Sequence, residues 1–208
     1  KANKAWWGGI PAIPRLKFSP TSSDATRMAM LKQGRVDLFV HVPPRFVENI
    51  SGMPGYRIVE QPGIRLIYLG LDVGRNASPG VHDSPPNPLR DRRVREAILL
   101  AIDNGLIVEK IMAGHARPAD QLFPANIVGH DPDYSLQRPD PGKARRLLRE
   151  AGYEKGFHVR LDGPNDRYVN DARIMEAVAA QLARVNIRVD VNAQPKARFF
   201  SQNEQAQC

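Results

Sequence analysis

The segment Leu161–Asp171 carries the side chains best suited to bind a small polar solute. It follows a predicted strand and precedes a predicted helix, and ligands of open α/β sheets bind beyond the carboxyl ends of strands. An amide, a carboxylate, a guanidinium and a phenol follow one another here, in Asn165, Asp166, Arg167 and Tyr168. Arg167 can hold a solute carboxylate through two parallel hydrogen bonds. An alternative stays open, in which Asp166 or Asn170 caps the helix and Arg167 is solvated.

A second pair of candidate ligand-binding residues is Tyr68 and Asp72. Both lie near the end of a predicted strand, Arg65–Gly74, and therefore at the kind of position where solutes bind. The segment that follows, Gly74–Pro88, is rich in glycine, proline, serine and asparagine. Such a composition is typical of loops, so we expect a linker or a crossing between two lobes here.

Motifs for other chemistry are absent from the sequence. No serine lies in G-x-S-x-G, and neither a P-loop nor a dinucleotide fingerprint occurs. Cys208 is the one cysteine, which excludes an intrachain disulfide and a thiolate metal site. The histidines match neither H-x-x-x-H nor H-E-x-x-H. We therefore expect no catalytic residue, no metal and no cofactor. The histidines are His41, His82, His115, His130 and His158.

The composition is that of an ordinary soluble chain of 208 residues. Thirty basic and twenty-two acidic residues give a formal charge of +8, which favours anionic surfaces weakly. No run of eighteen apolar residues occurs, so we expect no membrane span. Neither end has the character of a natural terminus, and we expect a fragment or a processed piece of a longer protein.

The stretch Arg90–Asp103 combines four arginines with an apolar second half. On a helical wheel, Val94 and Ile98 share one face, and Leu99 and Leu100 fill the other sides, which predicts burial on most sides. A helix that reads a nucleic-acid groove needs a polar face along its length, and this one loses that face by its second turn. The arginines are expected to be solvated or paired with acidic neighbours, with phosphate binding as the alternative.

Periodicity and capping signals predict the remaining elements. We expect helices after a cap at Ser22 or Ser23, over Pro43–Ser51, from an N-cap at Asp140 and over Asn170–Ile187, with Asp103 capping a short helix after the arginine-rich one. Alternating or continuous apolar runs predict strands. The predicted strands are Ala12–Phe18, Arg35–Val40, Tyr56–Gly63, Arg65–Gly74, Phe157–Gly163 and Ile187–Val191.

Several blocks of the sequence, in their order and spacing, resemble the extracellular solute-binding proteins of family 5, the oligopeptide, dipeptide and nickel binders of ABC transporters. The blocks are WWGGIPAIPRLKF, MAMLKQGRVDLFVHVPP, GIRLIYLGLDV, PLRDRRVREAILLAIDNGLIVEKIMAGHARPA, DPGKARRLLREAGYEKGFHV and AVAAQLARVNIRVDV. The resemblance implies an α/β fold of the periplasmic binding protein type (type II, bilobed), with mixed sheets flanked by helices. It also implies that residues 1–80 belong to the first lobe and 81–208 to the second, which is truncated at its end.

The resemblance further implies a non-enzymatic receptor that captures a peptide or similar small solute and delivers it to a membrane permease, in the periplasm or another extracytoplasmic space. Two lobes would close on the solute about a hinge near Gly74–Pro88. We expect no nucleic-acid partner. The alternatives left open are a basic nucleic-acid-binding domain and a folded fragment with no binding activity of its own.

Overall fold

The computed structural model describes residues 2–61, 63–82, 86–124, 127–135 and 137–206, with side chains up to residue 202. The chain divides into two compact units, residues 1–42 and residues 43–208. The prediction that a lobe boundary lies near residue 80 stays a prediction, because these units describe compactness within this chain and not the lobes of a larger protein.

The first unit contains one helix, α1 (Asp24–Lys32), among its described residues. The Ser23 side chain accepts a hydrogen bond from the Thr26 backbone N–H at 3.3 Å, which satisfies one of the free donors at the helix start. Met28 and Leu31 are buried. Gly34, with φ +65°, follows the helix in the left-handed conformation that glycine adopts most readily. The predicted helix and its cap at Ser23 are confirmed.

Four predicted strands are wrong. Within the described residues, Ala12–Phe18, Arg35–Val40, Tyr56–Gly63 (Pro62 lies outside the description) and Arg65–Gly74 form no strand ladder. Their apolar side chains are largely exposed, for example those of Phe18 and Leu38. An alternating pattern reports a residue's fit to a pleated surface, but a strand also needs a neighbour to accept its hydrogen bonds. These segments have no such neighbour among the described residues.

The second unit holds the other described helices, and two of them begin at the caps predicted at Asp103 and Asp140. Asp91, Asp103 and Asp140 each accept a hydrogen bond from a backbone N–H two or three residues ahead. A single 3-10 turn, Pro88–Arg90, precedes the arginine-rich helix. The helices are α2 (Pro44–Ser51), α3 (Arg92–Ala101), α4 (Asn104–Lys110), α5 (Pro141–Glu150), α6 (Asp171–Ala183) and α7 (Lys196–Ala206).

A three-stranded mixed sheet organises this unit, in the order β1 (Val81–His82), β2 (Phe157–Pro164) and β3 (Ile187–Gln194). β1 pairs antiparallel with β2, and β2 pairs parallel with β3. The two long strands confirm the sequence prediction. β1 lies inside the predicted crossing at Gly74–Pro88, so part of that segment belongs to the sheet; residues 83–85 lie outside the description.

The core forms where α3, α5 and the end of α6 meet β2 and β3. Val94 is 0% exposed and Leu100 is 2% exposed, so two sides of α3 are buried. Leu99 is 41% exposed, so one side of the helix is open, which is compatible with the expectation of burial on most sides. Each large aliphatic side chain buried here contributes roughly 1.5–3 kcal/mol gross. α3 is therefore a core helix, as its apolar half predicts.

The arginines around the start of α3 bond within the chain. Arg93 pairs with Asp91 at 2.7 Å and donates to the Glu150 carbonyl at 2.7 Å. Arg95 donates to the carbonyl of Leu89 at 3.0 Å. These bonds satisfy donors that a phosphate contact would otherwise use, which agrees with the expectation that the arginines are paired. None of the helices in the described ranges has the length and apolar character that crossing a membrane requires.

Candidate functional site

The loop between β2 and α6 is shaped by a buried carboxylate. Asp171, which is 8% exposed, accepts hydrogen bonds from the backbone N–H groups of Arg167 at 2.9 Å and Tyr168 at 3.0 Å. Asn170, just before it, has φ +57°, a left-handed conformation that asparagine tolerates better than most residues. The Asn170 side-chain amide donates to the Ile111 carbonyl at 2.8 Å. The loop is thus fixed both to its own helix and to the end of α4.

Two of the four predicted loop residues support the fold. The Asn165 backbone N–H donates to the Gln194 carbonyl at 2.9 Å and so extends the contact between β2 and β3. The Asp166 carboxylate accepts from the Lys196 backbone N–H at 2.6 Å, at the first turn of α7. The alternative that Asp166 caps α6 is wrong, because its carboxylate binds the first turn of α7. Asn170 does occupy the N-cap position of α6, but its side chain makes no capping hydrogen bond.

The other two loop residues form a cationic and aromatic cluster with a third residue. The Arg167 guanidinium carbon lies 5.4 Å from the centre of the Tyr168 ring, and that of Arg65 lies 5.7 Å from the same ring. We call these three residues the arginine–tyrosine cluster. Tyr168 is half-buried, while both arginines are exposed. Cation–π attraction of this kind contributes about 0.5–1 kcal/mol at an exposed site.

Arg65 is absent from the residues that the sequence singled out. It lies in an extended segment about a hundred residues before the loop, and no local motif marks it. Only the tertiary structure brings it beside Tyr168. The nearest available signal is its position three residues before Tyr68, in a segment already suspected on other grounds.

Tyr68 and Asp72 differ in what they can offer a solute. Tyr68 is 73% exposed. Asp72 belongs to its own turn, where its carboxylate lies 3.3 Å from the Arg75 guanidinium. Partial burial acts to raise the pKa of Asp72, but hydrogen bonds from Ser78 and Arg75 outweigh it and lower that pKa below its usual value. Asp72 is thus ionised and engaged at neutral pH.

Asn87, a buried residue that sequence reasoning missed, anchors this turn. Its side-chain amide donates to the carbonyls of Asp72 at 2.8 Å and Arg75 at 3.0 Å. Its side-chain oxygen accepts from the Leu89 backbone N–H at 3.0 Å. The three bonds connect the extended segment to the entry of α3. A buried amide of this kind has no sequence signature, because its partners are backbone groups distant along the chain.

The chemistry available at the cluster is recognition of an anionic group. Two guanidinium groups present donors in rigid forks that match a carboxylate, and the tyrosine ring offers a flat apolar surface. Among the described residues, no group of three or more histidine, cysteine, aspartate or glutamate side chains is placed to hold a metal ion.

The α/β arrangement of parallel strands flanked by helices is part of the fold of the type II periplasmic binding proteins. Residues 1–207 match the model of the bacterial extracellular solute-binding proteins, family 5 (middle), and the chain belongs to this family. A solved dipeptide-binding protein from Pseudoalteromonas sp. SM9913, in complex with Met-Leu, shares the fold with a TM-score of 0.74 at 20% identity, over 99% of this chain and 39% of that one.

Two curated relatives have binding functions in their names. The chain is 29% identical to the dipeptide-binding protein of Escherichia coli K12, over 92% of this chain and 34% of the relative. It is 28% identical to the glutathione-binding protein GsiB of Shigella flexneri, over 90% of this chain and 34% of the relative. The chain therefore spans about a third of the length of the curated relatives it matches.

Proposed function

We propose that this chain contributes part of the solute site of an ABC importer's binding protein, and that the solute is a peptide or a similar small molecule with a carboxylate. The arginine–tyrosine cluster carries this proposal. It follows the carboxyl end of β2, where solutes of α/β proteins bind, and it presents two guanidinium groups at one ring. The two curated relatives bind, by their names, a dipeptide and glutathione, which is itself a peptide.

In this mechanism the solute carboxylate binds Arg167 and Arg65, and an apolar part of the solute covers the Tyr168 ring. Exposed Tyr68 is a further candidate contact from the segment that carries Arg65. Asn165 and Asp166 keep the loop attached to β3 and α7 and so hold Arg167 in place. Asp72 fixes the turn after Tyr68. Capture then shifts the lobes toward a closed state by differential affinity, with a hinge near Gly74–Pro88, and delivery to a permease in an extracytoplasmic space follows.

The test uses the intact protein that carries this sequence. Calorimetry measures its affinity for a dipeptide with a free carboxyl terminus and for the same dipeptide amidated at that terminus. The free carboxylate should bind more tightly than the amide. Arg167→Gln should weaken binding of the free acid about tenfold or more, because a hydrogen bond to a charged group is lost, and should leave binding of the amide little changed.

Arg173→Gln is the matched control, because Arg173 is an exposed arginine of α6 outside the cluster. It should leave both affinities unchanged. Equal losses for acid and amide would contradict a carboxylate contact at Arg167. Native mass spectrometry of the protein from its host should reveal a co-purified small solute. Tight binding of a DNA duplex that falls steeply with salt would instead favour the nucleic-acid alternative.

A further inference from the structure

A polar cavity of about 320 Å³ lies near the amino ends of β2 and β3, whereas the arginine–tyrosine cluster follows the carboxyl end of β2. It is formed by α5, by the turn after α6 and by the loop before β2. Because β2 and β3 are parallel, the segments that lead into both strands meet at their amino ends. The cluster follows the carboxyl end of β2, so the two sites are separated by the length of a strand of eight residues.

The floor of the cavity is part of the hydrophobic core. Leu148 and Val185, which line it, are each 1% exposed and belong to the core. Asn186, on the wall, has φ +68° and donates from its side-chain amide to the Glu154 carbonyl at 3.2 Å. A Cβ added at Gly156 would lie 1.7 Å from the Asn186 carbonyl oxygen, so the two turns are in direct contact. These contacts connect the loop before β2 to the turn after α6, which together form the walls of the cavity.

The charges that line the cavity are three arginines, Arg145, Arg146 and Arg149, and one glutamate, Glu154. The Arg145 guanidinium donates to the Arg184 carbonyl at 2.9 Å, which fixes one of the three. The ion pairs between described residues include none of these arginines. The lining thus carries an excess of positive charge with unused donors.

We propose that this cavity binds a phosphate group. A carboxylate has two acceptor oxygens and a phosphate has three or more, so a phosphate can accept hydrogen bonds from more of the arginines that line the cavity. The volume lies at the small end of ligand pockets and exceeds what one water molecule needs. The phosphate comes either from a free polyanion or from a phospholipid headgroup. This phosphate site is proposed independently of the solute site at the arginine–tyrosine cluster, which follows the carboxyl end of β2.

Calorimetry with inorganic pyrophosphate tests the free-anion source on the intact protein. Binding is expected, with acetate at equal ionic strength giving no signal. Arg146→Gln and Arg149→Gln should each weaken binding about tenfold, and Glu154→Gln should tighten it. Arg138→Gln, an exposed arginine outside the cavity, is the control and should change nothing. Equal weakening by the control would overturn the proposal, because it would reveal only a general charge effect.

Flotation with vesicles tests the lipid source. Vesicles of phosphatidylcholine with phosphatidic acid are compared with phosphatidylcholine alone. The site is assigned to a lipid headgroup if the protein is retained on the anionic vesicles, Arg146→Gln abolishes this retention, and pyrophosphate does not bind. Binding of pyrophosphate without retention assigns it to a free anion. Failure of both probes, or responses that neither cavity variant changes, overturns the proposal. Arg167→Gln, which should weaken dipeptide binding, should leave pyrophosphate binding and vesicle retention unchanged, so the two proposals can fail separately.

Discussion

The Asp171 carboxylate accepts a hydrogen bond from the Tyr168 backbone N–H at 3.0 Å, and this contact folds the loop of the candidate site back onto its own helix. The same oxygen accepts from the Arg167 backbone N–H at 2.9 Å. One buried side chain therefore places both loop members of the arginine–tyrosine cluster.

Asp171→Ala should loosen this loop. The backbone N–H groups of Arg167, Tyr168 and Ala172 would lose their acceptor, so we expect the free energy of unfolding to fall by about 1–3 kcal/mol. Dipeptide affinity should fall as well, because Arg167 is no longer held in place. Urea unfolding and calorimetry measure the two effects. Glu176→Gln, at an exposed position of the same helix, is the control and should change neither. Unchanged stability in Asp171→Ala would contradict this role.

The neighbours Leu99 and Leu100 allow a matched test of the core assignment of α3. Leu100→Ala should lower the free energy of unfolding by about 2–5 kcal/mol, because it removes a buried side chain and leaves a cavity. Leu99→Ala, at a largely open position, should cost less than about 1 kcal/mol. Denaturant midpoints of the two variants measure the difference. Equal losses would show that α3 does not present the face described here.

Gly156 and Gly152 form a second matched pair. Both have a positive φ, +73° and +87°, but a Cβ at Gly152 meets nothing within 4 Å. Gly152→Ala should therefore cost only the backbone strain, about 1–2 kcal/mol. Gly156→Ala adds a clash with the Asn186 carbonyl and should cost more than about 4 kcal/mol or prevent folding. Thermal unfolding and soluble yield decide, and similar values for both variants would contradict the close contact.

Acid should destabilise the start of α3. The hydrogen bond from the Arg93 side chain lowers the pKa of Asp91 below its usual value of 3.8. The hydrogen bond from Lys143, at 2.8 Å, likewise lowers the pKa of Glu96. For each carboxylate the pKa in the folded state lies below the pKa in the unfolded state. The stabilisation that Asp91 and Glu96 contribute is therefore present at neutral pH and is lost as the pH falls through the unfolded-state pKa and then the folded-state pKa.

Asp91→Asn isolates one part of this dependence, because asparagine still caps a helix but cannot ionise. We expect its urea midpoint to fall less than that of the unaltered protein between about pH 5 and pH 2. Its stability at pH 7 should be lower, since the pairing with Arg93 loses its charge. Parallel curves for the two proteins would show that Asp91 does not contribute to the acid response.

The sequence by itself determined the elements whose physics is local. Ser23, Asp103 and Asp140 mark helix starts, because a cap needs only a side-chain oxygen and a backbone N–H a few residues ahead. The strand Phe157–Pro164 and the loop after it also follow from the order of residues. The blocks that resemble family 5 contain many of these local signals.

Only the tertiary structure decided which distant groups meet. The four apolar runs that predicted strands in the first 74 residues lack ladder partners among the described residues, since pairing depends on a second strand that periodicity cannot supply. Arg65 reaches Tyr168, and Asn87 holds the turn at Asp72, through contacts that no spacing rule contains. Caps and helix faces are set by neighbours a few residues away, whereas a binding site is assembled by chain segments whose approach depends on the whole fold.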